Sequence, residues 1–363
     1  MTGFDYPGRV TRLQSTMVEM GVDAVVLSIG ADLPYFTGYE AMDSERPTVL
    51  IVGPTGIPVL VIPLLEAPRV EATNVELASW RETEDPMLLV GRALGRARRV
   101  AIGDQTRSST LLSIQALLPD VSWLRASDLT STLRVRKEPA EVEMLRSAAS
   151  AVDRALGRVP AELRFSGRTE IEVARELQTM TVEEGHDVAM FAIVGAGANG
   201  ASPHHEPGKR VIAPGDLVVC DFGGRHNLYS SDVTRTFSVG GPSSEQEEVH
   251  QVVLAASEAA RAAVGPGVTC QEIDRSARRV VEEAGFGELF IHRTGHGIGL
   301  EVHEHPYIVE GNDTPLEEGM TFSIEPGVYL PGSFGVRIED IVACGASGVD
   351  ELNRADRSLL IVE

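Results

Sequence analysis

The first third of the chain alternates short apolar runs with stretches of helical spacing. The apolar runs, which are typical of buried strands, cover residues 24–29, 48–52, 58–62, 99–103 and 121–124. Residues 87–97 and 108–118 repeat their apolar positions at the interval of a helix. This alternation predicts a smaller N-terminal α/β domain over residues 1–132. Pro139 suits the first turn of a helix, so the segment from Leu133 to Pro139 is predicted to lead into a second domain over residues 133–363.

In the second domain, the same order of predicted helices and strands occurs twice. Helical stretches at 139–156 and 169–184 precede strand-like runs at 188–194, 216–222 and 232–239. Helical stretches at 244–264 and 269–285 then precede strand-like runs at 321–330 and 336–344. The predicted helix caps are Thr169 with Glu172, Ser244 with Glu247, and Thr269 with Glu272. Each half is therefore two helices followed by a hairpin, which predicts an α+β domain with twofold pseudo-symmetry; generic α+β alternation remains the alternative.

Composition excludes several classes of function. The chain has 363 residues and a formal net charge of -21, which disfavours nucleic acid and anionic membranes as partners. Its three cysteines show no metal-finger spacing, and an odd number argues against a disulfide framework. The N-terminus has no basic start or apolar run of a signal peptide, and no apolar stretch reaches membrane-spanning length. We therefore expect a cytoplasmic protein.

Four carboxylates and one histidine stand out in the C-terminal half. Asp221, Asp232, Glu325 and Glu339 fall in or beside apolar strand-like runs, where an unpaired carboxylate is costly. His296 lies between two glycines, which is hard to explain as core packing. Oxygen ligands with one imidazole suit manganese, cobalt, iron or zinc, and four carboxylates match the charge of two divalent ions. Together they predict a dinuclear metal centre, although Asp232 alone could be a cap and Glu339 alone a solvated side chain.

The order of these five residues resembles that of the pita-bread metallopeptidases. Three accessory motifs also match the proline-specific branch of Xaa-Pro dipeptidases (prolidases) and Xaa-Pro aminopeptidases: Pro203-His204, His292, and the run Gly299–His303. The resemblance extends from about Arg134 to about Cys344, and an added N-terminal region is similar to the creatinase-like domain of that branch.

The resemblance carries expectations about fold, reaction and partners. It implies a C-terminal pita-bread domain, in which helices back a curved antiparallel sheet with pseudo-twofold symmetry. It also implies a homodimer that hydrolyses the Xaa-Pro bond of dipeptides or short proline-containing peptides with two divalent metal ions. Manganese is the expected metal, with cobalt, zinc or iron as alternatives. Whether the enzyme takes only dipeptides or also longer peptides stays open.

The same resemblance assigns the metal ligands. Asp221 would hold one metal, Asp232 and Glu339 would bridge the pair, and His296 with Glu325 would complete the other. A hydroxide bridging the two metals would attack the scissile carbonyl, because bound divalent ions lower the pKa of water from about 15.7 toward neutrality. Glu325 would carry the proton to the leaving nitrogen.

Further residues would surround the substrate. The resemblance implies that His303 donates to the oxyanion and that His204 contacts the substrate near the leaving nitrogen. His292 would line the pocket for proline, and Arg337 would neutralise the carboxylate cluster. A plain surface histidine remains the alternative for His204 and His292.

Two loops and two rival functions complete the expectations. The Gly195–Gly200 motif fits GxGxxG, but Pro203 and two histidines follow it, so a substrate-side loop is predicted instead of a dinucleotide site. The Gly38–Arg46 segment is the candidate for a loop that limits access, with a plain surface turn as the alternative. A hydrolase of another small C–N substrate, or a non-catalytic binding protein, would resemble relatives that lose metal ligands. All five ligands are present here.

Overall fold

The chain folds into two compact units, which are described separately. The structure, a computed structural model, describes residues 3–363, so the first two residues of the segment considered for a signal peptide lie outside the described residues. One unit extends to Arg134, and the other covers Val135–Glu363. Among the described helices, none is both long and apolar enough to cross a membrane.

The N-terminal unit is built around one mixed six-stranded sheet. Its strands are β1 (Ala24–Leu27), β2 (Val49–Val52), β3 (Val59–Pro63), β4 (Glu76–Trp80), β5 (Arg99–Ile102) and β6 (Ser122–Arg125). Its helices are α1 (Tyr6–Met20), α2 (Asp32–Thr37), α3 (Met87–Leu94), α4 (Ser108–Leu117) and α5 (Ser127–Arg134), with a short 3₁₀ turn at Ala67–Arg69. The strand order is β4-β3-β2-β1-β5-β6. All five predicted strand runs form strands here, whereas β4 escaped prediction because its residues are mostly exposed.

The C-terminal unit contains four long helices and twelve strands among its described residues. The helices are α6 (Pro139–Glu162), α7 (Glu170–Glu183), α8 (Ser244–Ala263) and α9 (Cys270–Glu283). The strands of the first half are β7 (Val188–Ala196), β8 (Leu217–His226), β9 (Tyr229–Ser230) and β10 (Val233–Val239). Those that follow are β11 (Gly295–Gly297), β12 (Glu304–Ile308), β13 (Thr321–Ile324), β14 (Gly327–Leu330), β15 (Phe334–Arg337), β16 (Asp340–Gly345), β17 (Gly348–Glu351) and β18 (Leu360–Val362). Short 3₁₀ segments lie at Gly197–Ala201 and Gly287–Leu289.

The strands of this unit form two five-stranded sheets and one small sheet. One sheet has the order β18-β10-β8-β7 with β9 beside β8, and the other has the order β12-β11-β13-β16-β17. Strands β14 and β15 pair only with each other. Each five-stranded sheet packs on its own pair of helices: α6 and α7 bury apolar side chains against the first, and α8 and α9 against the second.

The two halves repeat each other in detail. Thr169 and Thr269 each cap the second helix of their half, and both predicted capping boxes with the glutamate three residues on are present. Thr169 also forms an isolated β-bridge with Val211, and Thr269 forms one with Pro315. The shared local arrangement agrees with the twofold pseudo-symmetry expected of a pita-bread domain.

Two local predictions were wrong. Helix α8 is capped by Ser243 with Gln246 rather than by Ser244 with Glu247, because the Ser243 hydroxyl accepts from the Gln246 N–H and Gln246 accepts in return. The predicted strands 321–330 and 336–344 are each broken, into β13 and β14 and into β15 and β16. Proline cannot donate to a strand ladder, so Pro326 ends the first run. Both breaks fall beside predicted metal ligands.

Candidate metal centre

The four acidic residues and His296 converge from both halves of the C-terminal unit. Asp221 lies within β8, and Asp232 directly precedes β10, the antiparallel neighbour of β8. His296 is the middle residue of β11. Glu325 follows β13, and Glu339 precedes β16, at the two breaks described above. The breaks let both glutamates leave their sheet direction and meet the carboxylates of the first half.

Distances confirm that these side chains form one cluster. The His296 Nε2 atom lies 3.4 Å from Glu325 Oε1, 3.7 Å from Asp232 Oδ2 and 3.8 Å from Glu339 Oε1. Candidate ligand atoms lie within 4.8 Å of one another in three groups. The groups are His296, Glu325 and Glu339; Asp221, Asp232 and Glu339; and Asp232, His296 and His303.

The cluster fits divalent cations. Within the described chain, Asp221 Oδ1, Asp232 Oδ1 and Glu339 Oε1 are buried oxygens without a hydrogen-bond partner. Buried acceptors left without partners are costly, and carboxylate oxygens with one imidazole suit the harder divalent metals. Asp232 and Glu339 each belong to one group with His296 and one with Asp221, an arrangement that suits residues shared between two ions.

Without a cation the cluster titrates abnormally. Burial, followed by repulsion from neighbouring carboxylates, raises the pKa of Asp232 and of Glu339 well above their usual ranges. Burial raises the pKa of Glu325 to about 7, although Arg337 opposes the change. Burial also lowers the pKa of His296 to about 3, so its imidazole is neutral and able to bind a metal. The raised pKa values of the three carboxyl groups are those expected where acidic side chains are buried together without a cation.

Arg337 connects the ligands of the two halves. Its Nη2 donates to Asp221 Oδ2 at 2.7 Å, and its Nε donates to Thr234 Oγ1 at 3.1 Å. The Thr234 hydroxyl in turn donates to Glu339 Oε2 at 2.7 Å. One buried guanidinium therefore orients two of the five candidate ligands.

His292 lies in a directed hydrogen-bond chain. Its Nδ1 is 2.7 Å from the Arg293 carbonyl, which can only accept, so we assign the ring proton to Nδ1. Its Nε2 then accepts from the Tyr329 hydroxyl at 2.8 Å, and Tyr329 accepts from Arg337 Nη1 at 2.9 Å. Burial lowers the pKa of His292 to about 3. Because both ring nitrogens already have hydrogen-bond partners, His292 can make packing contacts in the cavity through its ring but has no N–H left to donate to a ligand.

All nine residues singled out from the sequence line one cavity of about 720 Å³. His303 lies with its ring centroid 4.1 Å from that of His296, and His204 is exposed toward the same space. The described chain supplies neither side chain with a hydrogen-bond partner, which leaves both free to meet a ligand. Apolar side chains cover another part of the wall: Met190, Phe191, Ile193 and Val302.

Comparison with known proteins identifies the family. Residues 143–346 match the model of metallopeptidase family M24, and residues 9–136 match the creatinase/prolidase N-terminal domain. The chain belongs to metallopeptidase family M24. It is 40% identical over 364 residues to the probable dipeptidase PepE of Mycobacterium tuberculosis, covering 98% of this chain and 96% of that protein. It is 35% identical to the Xaa-Pro dipeptidase of Lactobacillus helveticus, covering 97% and 98%.

A solved structure agrees with the assignment to the M24 family. The recombinant prolidase from Thermococcus sibiricus superposes with a TM-score of 0.94 at 36% sequence identity. The match covers 99% of this chain and all of that one (100%), so both units are shared. The two-domain α+β architecture with a C-terminal pita-bread domain is therefore confirmed.

Sequence reasoning missed two polar residues of this M24 site. Arg293 lines the cavity and places its guanidinium 4.4 Å from the centroid of the Tyr307 ring. Its position directly after His292 was the signal that could have singled it out. Tyr329 joins Arg337 to His292, but it reaches them from the small β14–β15 sheet, which the sequence pattern did not predict.

The loop that carries His204 lies at the cavity wall. The Gly195–Gly200 motif begins in the last two residues of β7 and continues into a 3₁₀ segment. It opens no α-helix, which agrees with the prediction that it is not a dinucleotide site. The loop then brings Pro203 and His204 to the cavity wall. Cys220, next to Asp221, is buried and unpaired, and burial raises the pKa of its thiol, which suits packing rather than metal binding.

Proposed function

We propose that this M24 family member is a metallo-exopeptidase that cleaves the Xaa-Pro bond of dipeptides and short peptides at a dinuclear centre. The observation that carries the proposal is the pair of three-ligand groups that share Glu339, one with Asp221 and Asp232 and the other with His296 and Glu325. The names of the relatives, which include a dipeptidase and an Xaa-Pro dipeptidase, support the substrate class.

The ligands divide between two ions in this proposal. Asp221 would hold one ion, His296 and Glu325 would hold the other, and Asp232 and Glu339 would be shared between them. When bound, two divalent ions would supply a water of lowered pKa and would polarise the scissile carbonyl. Manganese is the proposed metal because four of the five ligands are carboxylates.

Three side chains handle the proton and the developing charge. Glu325 accepts the proton of the attacking water and delivers it to the leaving nitrogen. His303 donates to the oxyanion, and His204 contacts the substrate beside the scissile nitrogen. Both histidines line the cavity without another partner in the described chain, which supports these roles.

The proline ring is placed against His292. Since both His292 nitrogens are already bonded, this residue contributes packing surface, and Tyr329 and Arg337 hold it in place. The apolar wall formed by Met190, Phe191, Ile193 and Val302 suits an uncharged residue before proline.

Arg293 favours dipeptides over longer substrates. It is the cavity-lining guanidinium that no carboxylate of the described chain pairs with, whereas Arg337 is paired with Asp221. A dipeptide places its terminal carboxylate directly on proline, and an arginine is well suited to bind a carboxylate. We propose that Arg293 receives this carboxylate.

The remaining expectations join the proposal. We propose a cytoplasmic homodimer with a domain boundary between residues 132 and 133, in which the Gly38–Arg46 loop of one protomer limits access to the substrate site of its partner. Within the N-terminal unit, two exposed ion pairs involve this loop: Arg46 Nε lies 2.7 Å from Glu82 Oε1, and Arg107 Nε lies 2.6 Å from Asp43 Oδ1.

Metal content and peptide length test the proposal together. Manganese-loaded protein is assayed against Ala-Pro and Ala-Pro-Ala, with Glu325→Ala as the inactive control. Cleavage of Ala-Pro alone is expected; cleavage of the tripeptide as well would indicate an Xaa-Pro aminopeptidase. Turnover of neither peptide, or fewer than two divalent ions bound per chain after reconstitution, would contradict the proposal.

A further inference from the structure

A buried carboxylate outside the metal cluster, that of Glu170, contacts the loop that carries His204. Glu170, the first residue of α7, has 0% of its surface exposed. Its Oε1 accepts from the Ala196 N–H and from Asn199 Nδ2, each at 2.9 Å. Its Oε2 accepts from His205 Nε2 at 2.9 Å and from the Gly208 N–H at 3.2 Å. Four donors from one loop thus meet a single side chain.

These donors flank the cavity-lining part of the 196–208 loop. Ala196 and Asn199 precede His204, and His205 and Gly208 follow it. The middle of the loop meets the metal site, because the Pro203 carbonyl accepts from Arg337 Nη1 at 3.3 Å and His204 lines the cavity. The loop is therefore attached to Glu170 on both sides of the residue proposed to contact the substrate.

Glu170 is a suitable anchor because it stays ionised. Burial acts to raise its pKa, but hydrogen bonds from Ala196, His205, Asn199 and Gly208 outweigh burial and lower the pKa below its usual range. Hydrogen bonds to a charged acceptor are stronger than those between neutral groups, so the four contacts limit the movement of the loop. Without these contacts the loop would be mobile, and it would lose conformational entropy when substrate binds. That loss would reduce the affinity for substrate or the rate of cleavage.

We infer that Glu170 is a positioning residue that, through His205, Asn199 and two backbone amides, holds the 196–208 loop so that His204 meets the substrate. The inference rests on the proposed function for the role of His204. It gives His205 a part in the site without contact to substrate. Glu170 is not a metal ligand and does not touch the reacting atoms.

The main experiment compares Glu170→Gln with Glu172→Gln. Both residues lie in the first turn of α7, but Glu172 only caps the helix and does not contact the loop. Glu170→Gln replaces one acceptor oxygen with a donor, so two loop donors lose their partner. We expect kcat/KM for Ala-Pro to fall at least tenfold in Glu170→Gln and to stay within twofold of wild type in Glu172→Gln. Equal values in the two variants would overturn the inference.

A double mutant separates positioning from general destabilisation. If Glu170 acts through His204, then Glu170→Gln should add less than a twofold loss to His204→Ala, because the contact it supports is already gone. Losses that multiply would contradict the inference. His205→Leu and His205→Gln provide a second pair that leaves α7 unchanged. We expect the leucine variant to lose activity and the glutamine variant, which keeps an N–H donor, to recover most of it; equal losses would contradict it.

Hydrogen exchange gives a readout that needs no turnover. Whichever amide loses its acceptor oxygen, that of Ala196 or that of Gly208, should exchange at least tenfold faster in Glu170→Gln than in Glu172→Gln. Unchanged exchange would overturn the inference even if the protein were inactive toward every peptide. Failure of wild-type protein to cleave Ala-Pro would instead count against the proposed function, so the two failures are distinguishable.

Discussion

Replacing Arg337 with methionine removes the positive charge closest to Asp221 in the described chain. The side chain is 3% exposed and lies 2.7 Å from Asp221 Oδ2, so the substitution leaves a buried carboxylate without its cation. Methionine keeps most of the volume, which limits any cavity. The experiment therefore isolates the charge and its hydrogen bonds.

The magnitude follows from what each partner loses. Breaking a buried ion pair by removing one member costs about 3–5 kcal/mol. Thr234 and Tyr329 also lose a donor, but Thr234 still bonds Glu339 and Tyr329 still bonds His292, so neither is left without a partner. We therefore expect a loss of about 4 kcal/mol in the free energy of unfolding, or roughly 8–16 °C in Tm. The loss should be smaller with manganese present, because a bound manganese ion would compensate the charge of Asp221 in place of Arg337.

Urea unfolding monitored by far-UV circular dichroism, with chelator and with manganese, measures the effect. Tryptophan fluorescence would not, since Trp80 and Trp123 both belong to the N-terminal unit. Arg275→Met is the matched control, because Arg275 pairs with Glu310 at the surface and exposed pairs contribute little. Equal stability of the two variants in chelator would refute the reasoning.

Three further predictions concern other parts of the C-terminal unit. Burial lowers the pKa of His250 to about 4, so its neutral form contributes stability above pH 6.5 that is lost as the pH falls toward 4. In urea unfolding from pH 7 to 4, His250→Leu should remove a slope of about 1.4 kcal/mol per pH unit, and an unchanged slope would contradict this. Arg293→Met should lower kcat/KM for Ala-Pro roughly 10- to 100-fold, the value of a charged hydrogen bond, and leave Ala-Pro amide unaffected. Equal effects on both peptides would exclude carboxylate binding. Gly295→Ala should abolish manganese binding by calorimetry, because the new Cβ would lie 1.9 Å from a carbonyl of β13 and displace His296. The control is Gly157→Ala, whose new Cβ would have no other atom within 4 Å. Because Gly157 lies inside α6, this variant should gain about 0.5–1 kcal/mol in the free energy of unfolding.

Features that depend on neighbouring residues were predictable from the sequence. The capping boxes at Thr169 and Thr269 each involve four consecutive residues, and both predictions were correct. The strands of the N-terminal sheet were likewise predicted from short apolar runs. The candidate ligands stood out for a related reason, because an acidic residue inside an apolar run is expensive unless something compensates its charge.

Continuous strands were predicted where the chain turns. Residues 321–330 read as one strand, but Glu325 and Pro326 lie at a break, after which β14 pairs with β15 in a separate sheet. The pattern of apolar residues continues through the break because both strands are buried. Periodicity reports burial and cannot report which neighbour a strand pairs with.

Residue types and local patterns along the chain indicate which side chains are chemically able to form the site, and they predict most helices and strands. Which atoms meet depends on the tertiary structure. Glu170 and the loop it anchors are 26 to 38 residues apart in the chain, and Arg337 and Asp221 are 116 apart. Contacts at such separations leave no periodic trace, because they depend on how whole sheets and helices pack. The raised pKa of Glu325 has the same origin, since burial and neighbouring charges exist only after the two halves have come together.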